Sequence, residues 1–265
     1  MRYKIIGCSV LSREISLLAA RAQSVLDVTW IQQGLHNYPD LLRGEIQKEI
    51  DRAEAPPVAP ADLAVPPEDY AAIILGFGLC SGAVAGLKTV RLPLVVPRTH
   101  DCIAILLGSH EHYKREFDAV PGTYWLSSGW VEQSTFPCGA QCRLIKDRYT
   151  VRYGEDNAEY LLRMKLDALR RYTRAALICW PELDRSGYRD RLAEVAAEFG
   201  WTAECVEGNP ALLRRILDGD WNEHDVLICP PGFTIETDCE DRIMETVPSP
   251  QAVEGDRQPP GDRRD

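Results

Sequence analysis

The stretch Tyr3-Lys-Ile-Ile-Gly-Cys-Ser-Val10 decides the reading of the fold. It is short, apolar and interrupted by a glycine, which predicts a strand feeding a turn. Working outward, Ser12 stands where a helix cap belongs, and Ile15, Leu18, Ala19 and Ala22 follow at the i, i+3, i+4, i+7 spacing of one buried helical face. A second strand is predicted over 28–32, an amphipathic helix through Leu42, Ile46 and Ile50, and a third, apolar strand over 70–75. Between the last two, residues 55–67 carry too many prolines for regular structure and read as a surface connection. Strand, helix, strand, helix, strand is the pattern of a parallel sheet covered on both faces.

The second half repeats that grammar. A helix is predicted over about 157–172, a strand over 175–180, and a helix carrying Leu192, Val195, Ala196 and Phe199 that Gly200 stops. Asn209 and Pro210 read as the start of a further helix ending near Gly219, and residues 225–229 as a strand closing on Pro230-Pro-Gly232. The expected class is therefore α/β: an open, mostly parallel sheet or sheets flanked by helices, in a Rossmann-like three-layer arrangement. An N-terminal lobe is expected over 1–120 and a second lobe, or a continuation of the same sheet, over 121–246. The charged, proline-rich segment 247–265 is expected to be a disordered tail.

Composition narrows the function. The chain has 265 residues, a formal net charge of −10 and 45% hydrophobic residues, enough to bury a core without a disulfide or a metal merely to fold. Its pI of about 5.1 argues against a nucleic-acid or anionic-membrane surface. No stretch approaches the roughly 20 apolar residues of a membrane span, and no long apolar h-region follows Met1, so a cytoplasmic location is expected. In that setting nine cysteines read as thiols, ligands or nucleophiles, not as a disulfide framework.

In an open parallel sheet the ligand sits beyond the carboxyl ends of the strands. That rule selects Cys8 after the first strand, the run Gly76-Phe-Gly-Leu-Cys-Ser-Gly82 after the third, and Arg98-Thr-His-Asp-Cys102 after the strand 94–96. Three strand ends each deliver a cysteine. Cys8, Cys80 and His100 are expected to form a metal site, for zinc or another thiophilic ion, because soft thiolates favour such ions over magnesium or calcium. Cys102 is the candidate fourth ligand or reactive thiol, its pKa lowered by His100. Asp101 is a candidate catalytic group that also fits a cap on the helix 103–107, the favoured role. Arg98 is the candidate partner for a substrate carboxylate or phosphate, and the glycine-rich loop, through Gly78 and Ser81, would let backbone amides approach a small anionic molecule. The loop does not fit a nicotinamide fingerprint, since it follows the third strand and its third glycine is displaced. Pro121-Gly-Thr-Tyr-Trp-Leu-Ser-Ser-Gly-Trp130 is aromatic enough to wall a pocket, with Tyr124 as its candidate ligand contact. His110 and His112 read as a solvated helix end, and Cys138 and Cys142 as a loop pair with nothing nearby to complete four ligands.

The runs GFGLCSGAVAGLK (76–88), LPLVVPRTHDCIAILLGSHEHY (92–113) and PGTYWLSSGW (121–130), after an initial GCS, resemble the family named domain of unknown function 1638 across most of residues 1–235. The resemblance supplies no reaction. It implies an association with one-carbon and corrinoid-linked methyl transfer, hence a corrinoid or methyltransferase protein as partner. The leading expectation is a metal-binding protein acting on or binding a small anionic molecule. Two alternatives stand beside it: a non-catalytic accessory or binding module for a methyltransferase system, and a metal-free cysteine-dependent enzyme.

Overall fold

A computed structural model describes residues 1–55, 69–134, 136, 139–238 and 242–249. The Pro-rich connection, Cys138, Cys239 and most of the tail lie outside the described residues. The elements run β1 (Arg2–Cys8), α1 (Ser12–Ala19), β2 (Val25–Ile31), α2 (Pro39–Glu54), β3 (Ala72–Gly76), β4 (Leu94–Pro97), α3 (Cys102–Leu107) and α4 (His110–Ala119). They continue with β5 (Thr123–Leu126), α5 (Ser128–Gln133), α6 (Ala140–Tyr153), α7 (Glu155–Leu169), β6 (Arg174–Cys179), α8 (Ser186–Phe199), β7 (Thr202–Glu207), α9 (Ala211–Asp218), β8 (Val226–Cys229), β9 (Phe233–Thr237) and β10 (Met244–Pro248).

The architecture is mixed α/β. A five-stranded sheet has the order β2-β1-β3-β4-β8, the first four strands parallel and β8 antiparallel to β4. A three-stranded sheet, β5-β6-β7, is wholly parallel, and β9 and β10 form an antiparallel pair. The strand 225–229 thus departs from the repeat read in the sequence: it leaves the second half and closes the first sheet beside β4, reversed in direction.

Alternation along the strands splits the core in two. Tyr3, Ile5, Ile74 and Val95 point to one face of the large sheet, where Ile15, Leu18, Ile105, Leu212 and Ile216 cover them. Ile6, Ile73, Leu75, Leu94 and Val96 point to the other, packing on Leu42, Ile46 and Ile50 of α2 and on Ile235 and Met244 of the β9-β10 pair. The small sheet shares the first of these cores through Ala176 and Ile178, and its opposite face packs Leu177 on Leu192, Val195 and Trp201. The contact between the sheets is close. Ser128 of α5 donates to Glu14 of α1 at 2.5 Å, both side chains being buried.

Helix boundaries are set locally. Asp101 caps α3, its carboxylate accepting from the Ile103 and Ala104 amides, and Ser109 and Ser127 cap α4 and α5. Ser12, read as a cap, is instead the first helical residue of α1 and makes no side-chain cap bond. Asn209 fulfils its reading, accepting from the Ala211 amide at 2.9 Å.

Candidate functional site

β1, β3 and β4 are parallel neighbours, so their carboxyl ends lie along one edge of the sheet. Cys8 is the last residue of β1, Cys80 stands four residues beyond β3, and Cys102 opens α3 five residues beyond β4. All three line one cavity of about 340 Å³, together with Ser81, His100 and Asp101. Its far wall comes from the small sheet, through Trp125 of β5 and Ser127 and Trp130 around α5, and its third side from Gln32 to His36 after β2.

The loop that carries Cys80 is fixed by backbone pairing. The Leu79 amide donates to Thr99 O at 2.8 Å and the Cys80 amide to His100 O at 2.9 Å, extending the β3-β4 ladder into the site. Gly78 permits this, because a Cβ there would lie 2.7 Å from both Asp101 N and Thr99 O. Cys80 and Ser81 follow with φ of 47° and 59°, two consecutive non-glycine residues in the left-handed region. Such a conformation costs about 1–3 kcal/mol per residue and concentrates where a side chain must be aimed. Here it turns Cys80 toward Cys8 and Cys102.

The cavity drives its ionisable groups toward their neutral forms. Burial pushes the Cys80 thiol up to about 12, with Cys8 and Asp101 adding to the effect. Cys102 is half-buried, and burial followed by Asp101, Cys80 and Cys8 drives its thiol well above the ordinary value. Burial also raises Cys8, against the Val10 amide. The Asp101 carboxyl is raised by burial and pulled back by the two amides it caps, while burial lowers His36. The expected lowering of the Cys102 pKa by His100 is therefore corrected: the groups that most affect this thiol all disfavour the thiolate.

Several candidate residues stand elsewhere. Arg98 does not reach the cavity. Its guanidinium donates to the carbonyls of Glu223 at 2.8 Å, Val226 at 3.2 Å, Arg242 at 2.9 Å and Met244, tying β4 to β8 and β10. Gly78 serves the close approach of two loops, not a ligand. Tyr124 turns to the opposite face of the small sheet, stacking on Trp201 at 5.6 Å and meeting Phe136 and Tyr172 edge-on. Its neighbour Trp125 takes the place by the cavity, as alternation along a strand requires. Asp101 lines the cavity but acts as the α3 cap. His100 is exposed at the rim, its ring 5.4 Å from that of His110. His110 and His112 begin α4 instead of ending α3, and the His112 Nδ1 lies 3.0 Å from Leu107 O. Cys142 lies in the first turn of α6, away from the cavity.

The aromatic stretch 121–130 does wall the cavity, through Trp125 and Trp130 and not Tyr124, whereas His36 was not singled out in the sequence. His36 follows the carboxyl end of β2, where the same strand-end rule applies. The indole Nε1 of Trp130 is buried without a hydrogen-bond partner among the described residues, beside the His36 ring at 6.1 Å. Among the described residues no group of three or more His, Cys, Asp and Glu side chains is already drawn together tightly enough to hold a metal ion. No helix among them is long and apolar enough to cross a membrane.

Fold and site together define an α/β protein with a thiol-lined cavity at the carboxyl edge of a mostly parallel sheet. The family model described as protein of unknown function (DUF1638) matches residues 30–217, more than half of the chain, and the chain belongs to that family. The match contains Cys80, His100, Asp101 and Cys102, whereas Cys8 precedes it. No curated protein and no solved structure matches the chain.

Proposed function

We propose that this chain binds a thiophilic metal ion, of which zinc is the type, through Cys8, Cys80 and Cys102, and takes a small molecule in the remainder of the same cavity. One observation carries the reading: three thiols from three separate strand ends line a single cavity, one of them aimed by two strained residues. Sulfur donors select soft ions, and three protein ligands leave a coordination position free for a substrate group. The thiols would have to draw together on the ion and shed their protons as they bind it. His100, at the rim, stands as an additional donor. The bound ion would supply Lewis acidity to a donor atom of the small molecule.

The lining constrains that molecule. No lysine or arginine is among the described side chains around the cavity, so an anionic group would have to find its positive charge in the metal. Trp125, Trp130 and Phe77 favour a compact, largely apolar body. A non-catalytic binding module is the second reading, favoured by the shift of Cys8, Cys80, Cys102, Asp101 and His36 toward neutral forms, which suits holding a ligand better than acid–base turnover. A metal-free thiol nucleophile is disfavoured by the same shifts. The two cores on opposite faces of the large sheet support a Rossmann-like three-layer arrangement, and reduced thiols suit a cytoplasmic setting.

Metal analysis of untagged protein after reconstitution with zinc and desalting tests the proposal. The expected result is about one zinc per chain, lost in Cys80→Ser and in Cys102→Ser and kept in Cys205→Ser. Less than about 0.2 zinc per chain, or equal retention in all three variants, would overturn it.

A further inference from the structure

The small parallel sheet has a carboxyl edge of its own, and it too carries cysteines. The register sets Leu177 beside Cys205 and Cys179 beside Glu207, so Cys179 and Cys205 are diagonal neighbours on one face of adjacent strands. The Cys179 sulfur lies 3.6 Å from Leu177 O, and burial, with Cys205 beside it, pushes its thiol up to about 12. Cys205 is exposed, the only such cysteine among those described, and sits on β7, the edge strand of its sheet. Arg189 of α8 reaches it, Nη1 donating to the sulfur at 3.0 Å. That guanidinium is itself held by Asp184, which accepts from Nε at 3.2 Å and from Nη2 at 2.6 Å. A carboxylate thus orients a cation onto an accessible sulfur, with a second thiol behind it. Cations beside a thiol favour its thiolate, the reactive form toward oxidants.

We propose that Cys205 and Cys179 form a reversible peroxide-responsive pair, Cys205 the reacting thiolate and Cys179 the resolving thiol. The Cys205 sulfur attacks one oxygen of hydrogen peroxide; an S–O bond forms, the O–O bond breaks, hydroxide leaves, and the sulfur is oxidised by two electrons to a sulfenic acid. The Cys179 thiol then attacks that sulfur; an S–S bond forms, the S–O bond breaks, and water leaves with the Cys179 proton. Because the pair is offset by two residues along adjacent, already paired strands, closure must shift the edge strand β7 along β6, so the disulfide is strained and easily reduced. The device is separate from the thiol-lined cavity and independent of what that cavity holds.

The test treats the full chain with hydrogen peroxide, blocks remaining thiols with iodoacetamide, and identifies modified peptides by mass spectrometry. The expected product is a dithiothreitol-sensitive cross-link between the peptides holding Cys179 and Cys205, formed before any other cysteine is oxidised. In Cys179→Ser the expected product is sulfenic acid at Cys205, trapped by dimedone. Arg189→Met removes the cation held 3.0 Å from the sulfur and should slow iodoacetamide alkylation of Cys205 at pH 7 about threefold or more. The proposal is overturned if wild-type protein gives no such cross-link, if Cys142 or a cavity cysteine oxidises first, or if Arg189→Met alkylates at the wild-type rate.

Discussion

Replacing Gly129 by alanine probes how the cavity wall is held. Gly129 is the second residue of α5, between Ser128, which bonds to Glu14, and Trp130, which lines the cavity. A Cβ there would stand 1.9 Å from Val10 O, 2.6 Å from Val10 C and 2.9 Å from Val10 Cα. An ordinary carbon–oxygen contact is about 3.3 Å or more, and the obstacle is backbone of the segment after β1, so α5 must retreat by more than about 1 Å. Overpacking of this kind costs about 1–3 kcal/mol. Retreat also strips the buried Glu14 carboxyl of its donor, a further loss of about 1–3 kcal/mol. A total near 4 kcal/mol corresponds to a fall in Tm of about 8–16 °C for a chain of this size. Thermal unfolding followed by circular dichroism measures it, with Gly187→Ala as the control, since a Cβ at Gly187 in α8 meets nothing within 4 Å. The control should stay within about 1 kcal/mol of wild type. A Gly129→Ala protein melting within about 2 °C of wild type would refute the close docking of the two sheets from which the cavity is built.

Two further outcomes are expected. Arg98→Met removes the donor to four carbonyls and should cost about 2–4 kcal/mol of stability, read from urea unfolding, while leaving zinc content unchanged; loss of metal without loss of stability would return Arg98 to the binding site. Glu14 has its carboxyl pKa raised by burial, so the folded state holds its proton more tightly than the unfolded chain does. Its contribution is complete below the unfolded value of 4.5 and is lost as pH rises through the higher folded value. Glu14→Gln, which keeps the acceptor for Ser128, should therefore match wild type near pH 4 and gain in relative Tm toward pH 8; a difference that does not change with pH would count against this account.

The buried parallel strands β1, β3, β4 and β6 were legible because each reads as a short apolar run, and the half-exposed edge strand β2, which keeps Val25, Leu26, Val28 and Ile31, also falls close to its expected position. β7, with the sequence Thr202-Ala-Glu-Cys-Val-Glu207, was not, since an edge strand that exposes nearly every side chain has no apolar run to announce it. α6 escaped for the corresponding reason: its apolar residues do not gather on one helical face. The direction of β8 could not be read from Val226-Leu-Ile-Cys229, because such a run looks the same from either end and only its partner decides. In the site, Cys8, Cys80 and Cys102 were found by the strand-end rule, which needs topology alone. Choosing Tyr124 over Trp125 required knowing which face of β5 meets the large sheet, and assigning Arg98 required knowing that β8 and β10 would come to lie against it.

The antiparallel return of β8 has a consequence for how the molecule is made. Leu94 pairs with Cys229 and Pro97 with Val226, and the whole small sheet is spelled out by the stretch of chain between them. During synthesis β1 to β4 can assemble as soon as they leave the ribosome, but β4, buried along its entire length in the finished protein, must wait as a bare apolar edge until residues 226–229 arrive. A nascent chain stalled before that point would present a strand ready to pair with a neighbour. The last strand to join the large sheet is thus also the cover that ends its hazard of aggregation.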